Sequence, residues 1–133
     1  MKPNILIITA NFYEDISSNL TFGAITELKK KAKVKKIIVP GVFEIPVIVA
    51  KNINKYDAFI ALGCVIKGKS PHFNFISKST INAIMYLSIE HKKPIGNGII
   101  TCFNKKQAIE RSKSKKNKGR EAAKAILSVL KYF

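Results

Sequence analysis

Four short apolar runs recur along the chain, each separated from the next by a segment of helical spacing. That alternation limits the fold more than any other feature of the sequence. Ile5-Leu6-Ile7-Ile8 is continuous, as expected of a strand buried on both faces. Lys36-Ile37-Ile38-Val39 forms the second run and Asp57 to Leu62 the third. Ile95 to Thr101 is the fourth, with Gly96 and Gly98 inside it. Pro40-Gly41 breaks the second run, and Gly63 is expected to close the third.

Between the first two runs, Ile16, Leu20, Ala24 and Leu28 are spaced by four and mark one face of a helix. Glu14 and Asp15 at its start, and Lys29, Lys30 and Lys31 at its end, both complement the helix dipole. Val42 to Asn52 reads as a short helix, provided Pro46 lies in its first turn. Ile76, Thr80, Ala83, Ile84 and Leu87 mark a long helix. Asn104-Lys105-Lys106-Gln107 has the spacing of a capping box and opens a further one. Ala122, Ala123, Ile126, Leu127 and Leu130 mark the last. Strands joined through helices imply right-handed crossovers. The fold class is therefore α/β: three layers, with a four-stranded parallel sheet and helices on both faces. Residues 1–133 fit a single domain. In such sheets ligands bind beyond the carboxyl ends of the strands. The segments of interest are then Asn11–Asp15, Pro40–Pro46, Gly63–His72 and Thr101–Asn104. The low-complexity run Ser112–Gly119 reads as a solvated basic connector between two helices.

The balance of 47% hydrophobic to 24% charged residues excludes a disordered chain. The net charge of +16 invites a nucleic-acid or membrane partner. However, Arg111 and Arg120 are the only arginines, where base readout favours the Arg fork. No aromatic residue interleaves the lysine clusters. Lys, Ile and Asn are abundant together, as A·T-rich codons would make them, so neither nucleic acid nor membrane is expected as a partner. An anionic small-molecule substrate would still benefit from the field. The longest apolar stretch, Ala58 to Ile66, is far short of the ~18–20 residues of a membrane span. The opening residues loosely resemble a signal peptide but turn polar at Asn11, and a buried first strand is the expected reading. Cys64 and Cys102 cannot build a disulfide scaffold, and a reduced cytoplasmic protein is expected.

Gly63-Cys64-Val65-Ile66-Lys67-Gly68-Lys69-Ser70 matches the letters of a P-loop. Its apolar, β-branched middle is ill suited to wrap a phosphate, and no strand ends in an aspartate placed to hold Mg²⁺. Its second half keeps physical meaning. Ser70 as N-cap and Pro71 at the first helical position define a helix start, around which Gly68, Lys69 and Ser70 would offer a phosphate site. His72 falls in the first turn beside that site, where it either shuttles protons or merely caps and packs. His91, among Glu90, Lys92 and Lys93, reads as a surface partner of a helix end. Glu44, between Phe43 and Ile45, either accepts hydrogen bonds from a ligand or complements a helix start. Phe12 is a candidate aromatic platform or a packing residue. Cys64 and Cys102 read as buried small residues, and no cluster has the spacing of a metal site.

Together these segments resemble the lumazine synthase family. The likeness is carried by Val39–Pro46, Tyr56–Gly68, His72–Phe75, Gly98–Thr101, Gln107–Arg111 and Lys118-Gly119, in order over nearly the whole chain. It implies a flavodoxin-like fold. It also implies a cofactor-free transferase that condenses 5-amino-6-ribitylaminouracil with 3,4-dihydroxy-2-butanone 4-phosphate, giving 6,7-dimethyl-8-ribityllumazine, phosphate and water. By motif position, Phe12 would stack on the pyrimidine. Gly41, Val42, Phe43 and Glu44 would hold the ribityl chain. Cys64, Val65 and Ile66 would line the pyrimidine site, and His72 would transfer the proton. Lys69, Ser70 and Arg111 would bind phosphate, with Lys118 nearby. The family also implies a homopentamer in which the Asn97 and Arg111 side comes from the adjacent chain. The chain departs from the family at four of these positions. Asn11 stands where many members have Arg, Tyr13 where Asn is common, Asn97 for a frequent Phe and Lys67 for Arg. None of these removes Phe12, Glu44, His72 or Arg111. Only three residues precede the first strand, where many members carry another, and Ser112–Asn117 lacks the usual glycine. Both bear on whether pentamers build a larger shell. A P-loop NTPase, a basic nucleic-acid module and the fold-related archaeal-type riboflavin synthases are the competing classes.

Overall fold

The computed structural model describes residues 1–69 and 71–133. Four strands, β1 (Asn4–Ala10), β2 (Lys33–Val39), β3 (Ala58–Ile66) and β4 (Ile95–Cys102), form one fully parallel sheet in the order β2-β1-β3-β4. The helices are α1 (Glu14–Leu28), α2 (Ile45–Asn52), α3 (His72–His91), α4 (Lys105–Arg111) and α5 (Lys118–Leu130). None of them, among the described residues, is long and apolar enough to cross a membrane.

The expected three layers follow from the alternation of side chains along the strands. Ile5 and Ile7 of β1 and Ala58, Ile60 and Leu62 of β3 face Ile16, Leu20, Ala24 and Leu28 of α1 and Ala122, Ala123 and Ile126 of α5. Leu6, Ile8, Phe59 and Ala61 face Ile45 and Val49 of α2 and Ile84 of α3 on the other side. Because β1 and β3 are central, Ile5–Ile8 and Ala58–Leu62 are fully buried, which accounts for their unbroken apolar character. β2 is an edge strand, and Lys33, Lys35 and Lys36 on it are exposed. Charge on an exposed edge discourages pairing with other chains, so part of the lysine excess has a structural use.

The structure corrects three expectations, at Gly63, at the start of α3 and in the connector before α5, and refines a fourth at Val42–Asn52. β3 does not close at Gly63 but runs on to Ile66. A Cβ on Gly63 would sit 2.6 Å from Val42 Cγ1, so this glycine serves close packing within the strand rather than a break. The Val42–Asn52 segment is a 3₁₀ turn (Val42–Glu44) that passes into α2, with Pro46 in the first turn of α2 as required. At the start of α3, Pro71 occupies the cap position and the helix begins at His72; the Ser70 cap lies outside the described residues. The connector before α5 is not simply solvated, since Ser112 and Asn117 are buried and Asn117 caps α5. The capping box at α4 is present in a shifted form. Asn104 Oδ1 accepts from the Gln107 amide at 2.9 Å, while Gln107 Oε1 reaches back to the Phe103 amide at 2.8 Å.

Candidate active site

The strand order reverses direction between β1 and β3, since the chain first adds β2 on one side of β1 and then β3 on the other. A crevice forms at the carboxyl end of such a switch. A cavity of about 310 Å³ occupies it. Phe12 and Tyr13 line it after β1, Gly41, Val42 and Phe43 after β2, and Cys64, Val65, Ile66 and Gly68 along the end of β3. His72, Phe73 and Ile76 from the start of α3 complete it. The extra length of β3 shapes this wall. β1 pairs with β3 only as far as Thr9↔Leu62, whereas β4 accompanies β3 to Ile66↔Cys102. Past Leu62, among the described residues, the β1-side edge of β3 has no ladder partner, so those backbone groups of the Cys64–Ile66 stretch that point away from β4 are open toward the cavity side.

The cavity is largely apolar with an aromatic wall. Phe12 and Tyr13 meet edge to face, with ring centroids 5.0 Å apart at 79°. Phe12 is 74% exposed, so its far side is open in a single chain. Two lysines sit over aromatic rings beyond the carboxyl ends of the strands: Lys67 Nζ lies 5.4 Å from the Phe103 ring centroid and Lys105 Nζ 5.5 Å from that of Tyr13, which lines the cavity. Lys105 also meets the Asp15 carboxylate at 3.4 Å. The Ile16 amide, followed by Lys105, holds the Asp15 carboxyl below its ordinary value.

Cys64 and Cys102 are both free and buried. Burial, followed by the neighbouring Cys102, pushes the Cys64 thiol up to about 12. Burial also raises Cys102, against the opposing influence of Arg111. Both are therefore neutral thiols at neutral pH and neither serves as a nucleophile there. Because the folded-state value of Cys64 lies above its ordinary 9.0, the stabilisation it contributes is complete below about pH 9 and is lost as pH rises toward 12. Iodoacetamide at pH 8 is expected to leave Cys64 unmodified in the native protein while labelling the unfolded chain fully, as followed by mass spectrometry. Equal rates in the two states would contradict this.

The structure gathers eight of the candidate residues around the cavity: Phe12, Gly41, Val42, Phe43, Cys64, Val65, Ile66 and His72. Glu44 stands just behind them, its Oε1 folded over Gly41. Lys69 is exposed on the loop before α3, and Ser70 lies outside the described residues. Asn97, Arg111 and Lys118 do not line this cavity. Asn97 is exposed on the edge strand β4 and accepts from the Ile99 amide at 3.0 Å. Arg111 Nη1 donates to the Thr101 carbonyl at 3.0 Å and lies 3.8 Å from Cys102 Sγ. Lys118 Nζ donates to Glu121 at 3.0 Å. Gly68, expected at the phosphate site, also lines the cavity, whereas the lining residues Tyr13, Phe73 and Ile76 were not given a role by the sequence. Their signal was positional: Tyr13 adjoins Phe12, and Ile76 shares a helix face with His72 at a spacing of four.

The family model for 6,7-dimethyl-8-ribityllumazine synthase matches residues 2–133. A 6,7-dimethyl-8-ribityllumazine synthase of Bartonella tribocorum is 44% identical, over 97% of this chain and 89% of its own. One from Rhodopseudomonas palustris is 43% identical, over 96% and 83%. One from Buchnera aphidicola subsp. Acyrthosiphon pisum is 43% identical, over 97% and 86%.

Proposed function

The chain belongs to the 6,7-dimethyl-8-ribityllumazine synthase family, and from that membership we propose that the cavity beyond β1 and β3 is its active site. The chain is a transferase of riboflavin biosynthesis. It condenses 5-amino-6-ribitylaminouracil with 3,4-dihydroxy-2-butanone 4-phosphate, releasing phosphate and water to give 6,7-dimethyl-8-ribityllumazine. Residues 1–133 form a single lumazine-synthase-like domain. The convergence of an aromatic wall, an unpaired strand edge and an imidazole on one cavity carries the assignment of the site.

Phe12 stacks on the pyrimidine, whose polar edge meets the backbone of Cys64–Ile66. Gly41, Val42 and Phe43 flank the ribityl chain, and Glu44 accepts from its hydroxyls. Joining an amine to a ketone through an imine moves several protons, and His72 is the imidazole at hand. Departing phosphate is met by Lys69, Ser70 and the amides at the start of α3, where an anion is favoured. No cofactor takes part. Much of the acceleration comes from holding two substrates in register.

Arg111 and Lys118 complete the phosphate site, and Asn97 the cover over the pyrimidine, from an adjacent copy. Two observations support this arrangement. These three residues are displaced from the cavity of their own chain, and Phe12 is open on its outer side. Val47 on α2 and Met85, Tyr86 and Ile89 on α3 are exposed apolar residues that a neighbour would cover. We assign a homopentamer working on small molecules in the cytoplasm, a reducing setting that suits the two free thiols. Sedimentation should return the mass of five chains, and a monomer at micromolar concentration would refute the shared site. The P-loop reading loses its basis, because Gly63–Ile66 is extended strand rather than a wrapped loop.

Mixing the protein with both substrates should generate the lumazine absorbance well above the uncatalysed rate; no excess would sink the assignment. Supplying lumazine alone should give no turnover. Arg111→Ala is expected to raise KM for the phosphate substrate by roughly 10- to 100-fold, the worth of a charge-assisted hydrogen bond, with a smaller change in kcat. An unchanged KM would remove Arg111 from the phosphate site.

A further inference from the structure

We infer that Lys105 is a positioning residue for the aromatic wall of the active site: its ammonium fixes Tyr13, and through Tyr13 the Phe12 ring. The inference rests on the cavity being the pyrimidine site. Phe12 and Tyr13 follow β1, whereas Lys105 is the first residue of α4, 90 positions from Asp15. Only the folded sheet brings these two junctions together. Lys105 Nζ lies 5.5 Å from the Tyr13 ring centroid and 3.4 Å from the Asp15 carboxylate. The ammonium thus bridges the ring that lines the cavity and the first turn of α1. Tyr13 in turn holds the more exposed Phe12 edge to face at 5.0 Å.

The base of Lys105 is itself fixed. Asn104 caps α4 through the Gln107 amide, and Gln107 closes onto Phe103. The side chains of Lys105 and Asp15 are 50% and 63% exposed, so this ion pair contributes little to stability. Its consequence is local order. With Phe12 largely open to solvent, the ring that must present a flat face to the pyrimidine rests edge to face on Tyr13, and Tyr13 is held by a cation. A free rotor there would have to be ordered each time substrate binds, at a cost in affinity. One lysine of the basic excess, Lys105, is thereby given a place beside the cavity.

The test is binding of 5-amino-6-ribitylaminouracil measured by calorimetry, beside steady-state kinetics, on the full-length protein. Lys105→Met keeps length and apolar stem but removes charge. It should weaken pyrimidine binding about two- to five-fold, the range of an exposed cation–π contact, while kcat and KM for the phosphate substrate stay as in wild type. Lys105→Arg should restore the wild-type affinity. In a Tyr13→Leu background, Lys105→Met should have no further effect. Three results would overturn the inference: an unchanged affinity in Lys105→Met, an equal loss in the Tyr13→Leu background, or a loss confined to the phosphate substrate. The last would show that the charge merely steers an anion. Wild-type protein that fails to bind the pyrimidine would overturn the underlying site assignment, and the inference with it.

Discussion

His72→Gln is expected to lower kcat by about 100-fold, the lower end of what positioned acid–base groups contribute, while both KM values stay within a small factor. Glutamine keeps much of the size and hydrogen-bonding capacity of histidine but cannot take up and return a proton. His72 heads α3 on the wall of the cavity, one turn before Ile76. Imidazole is the side chain that both gives and takes a proton near neutral pH. Cys64 on the strand wall is excluded from that task because its thiol is held at about 12. The loss should stop well short of the uncatalysed rate, because the two substrates are still held in register. A variant with wild-type kcat would mean that bound substrate or water moves the protons and that His72 only packs.

The central strands and their helices were legible because local pattern and burial agree in them. The unbroken Ile5–Ile8 run is a strand walled on both faces, and Ile16, Leu20, Ala24 and Leu28 all reach the core. What escaped the sequence came from contacts between distant residues. Gly63 looked like the end of a strand, since a lone glycine near a turn reads as a breaker. In the fold it is the place where Val42 and Ala10 press against β3, and the strand continues into the cavity wall. Asn117 looked like one more polar residue in a lysine-rich connector. The link between Lys105 and Tyr13 cannot be seen in one dimension at all. The site divided along the same line. Phe12, the Val42-Phe43 pair and His72 follow strand ends, Cys64–Ile66 form the end of β3, and all of them line one cavity. Asn97, Arg111 and Lys118 do not line the cavity of their own chain, and a place for them in the proposed chemistry requires a second chain.

Asn117→Ala is expected to cost about 3 kcal/mol, from a lost helix cap of ~1 kcal/mol and two further lost hydrogen bonds, one buried and one part-buried, of ~1 kcal/mol each. The Asn117 side chain is buried where α1, α4 and α5 meet. Its Oδ1 accepts from the Arg120 amide at 3.0 Å, and its Nδ2 donates at 2.9 Å to the carbonyls of both Asn19 and Ser112. α1 and α5 approach so closely here that both Gly23 and Gly119 are needed, since a Cβ on either would collide with Asn117 or with the Leu20 carbonyl. Alanine therefore leaves a cavity that the backbone cannot readily close. Asn117→Asp should be worse despite keeping the cap, because it directs a carboxylate at two carbonyl oxygens with no donor between them. For a chain of this size the alanine variant should melt roughly 10 °C lower at equal protein concentration. Function should follow, since Asn117 spans the connector between Arg111 and Lys118. KM for the phosphate substrate should rise well before the protein unfolds, with affinity for the pyrimidine nearly unchanged. A variant that melts near the wild-type temperature would show that water replaces the three hydrogen bonds. One that loses stability but keeps its phosphate affinity would show that Arg111 and Lys118 are held by their own contacts with Thr101 and Glu121.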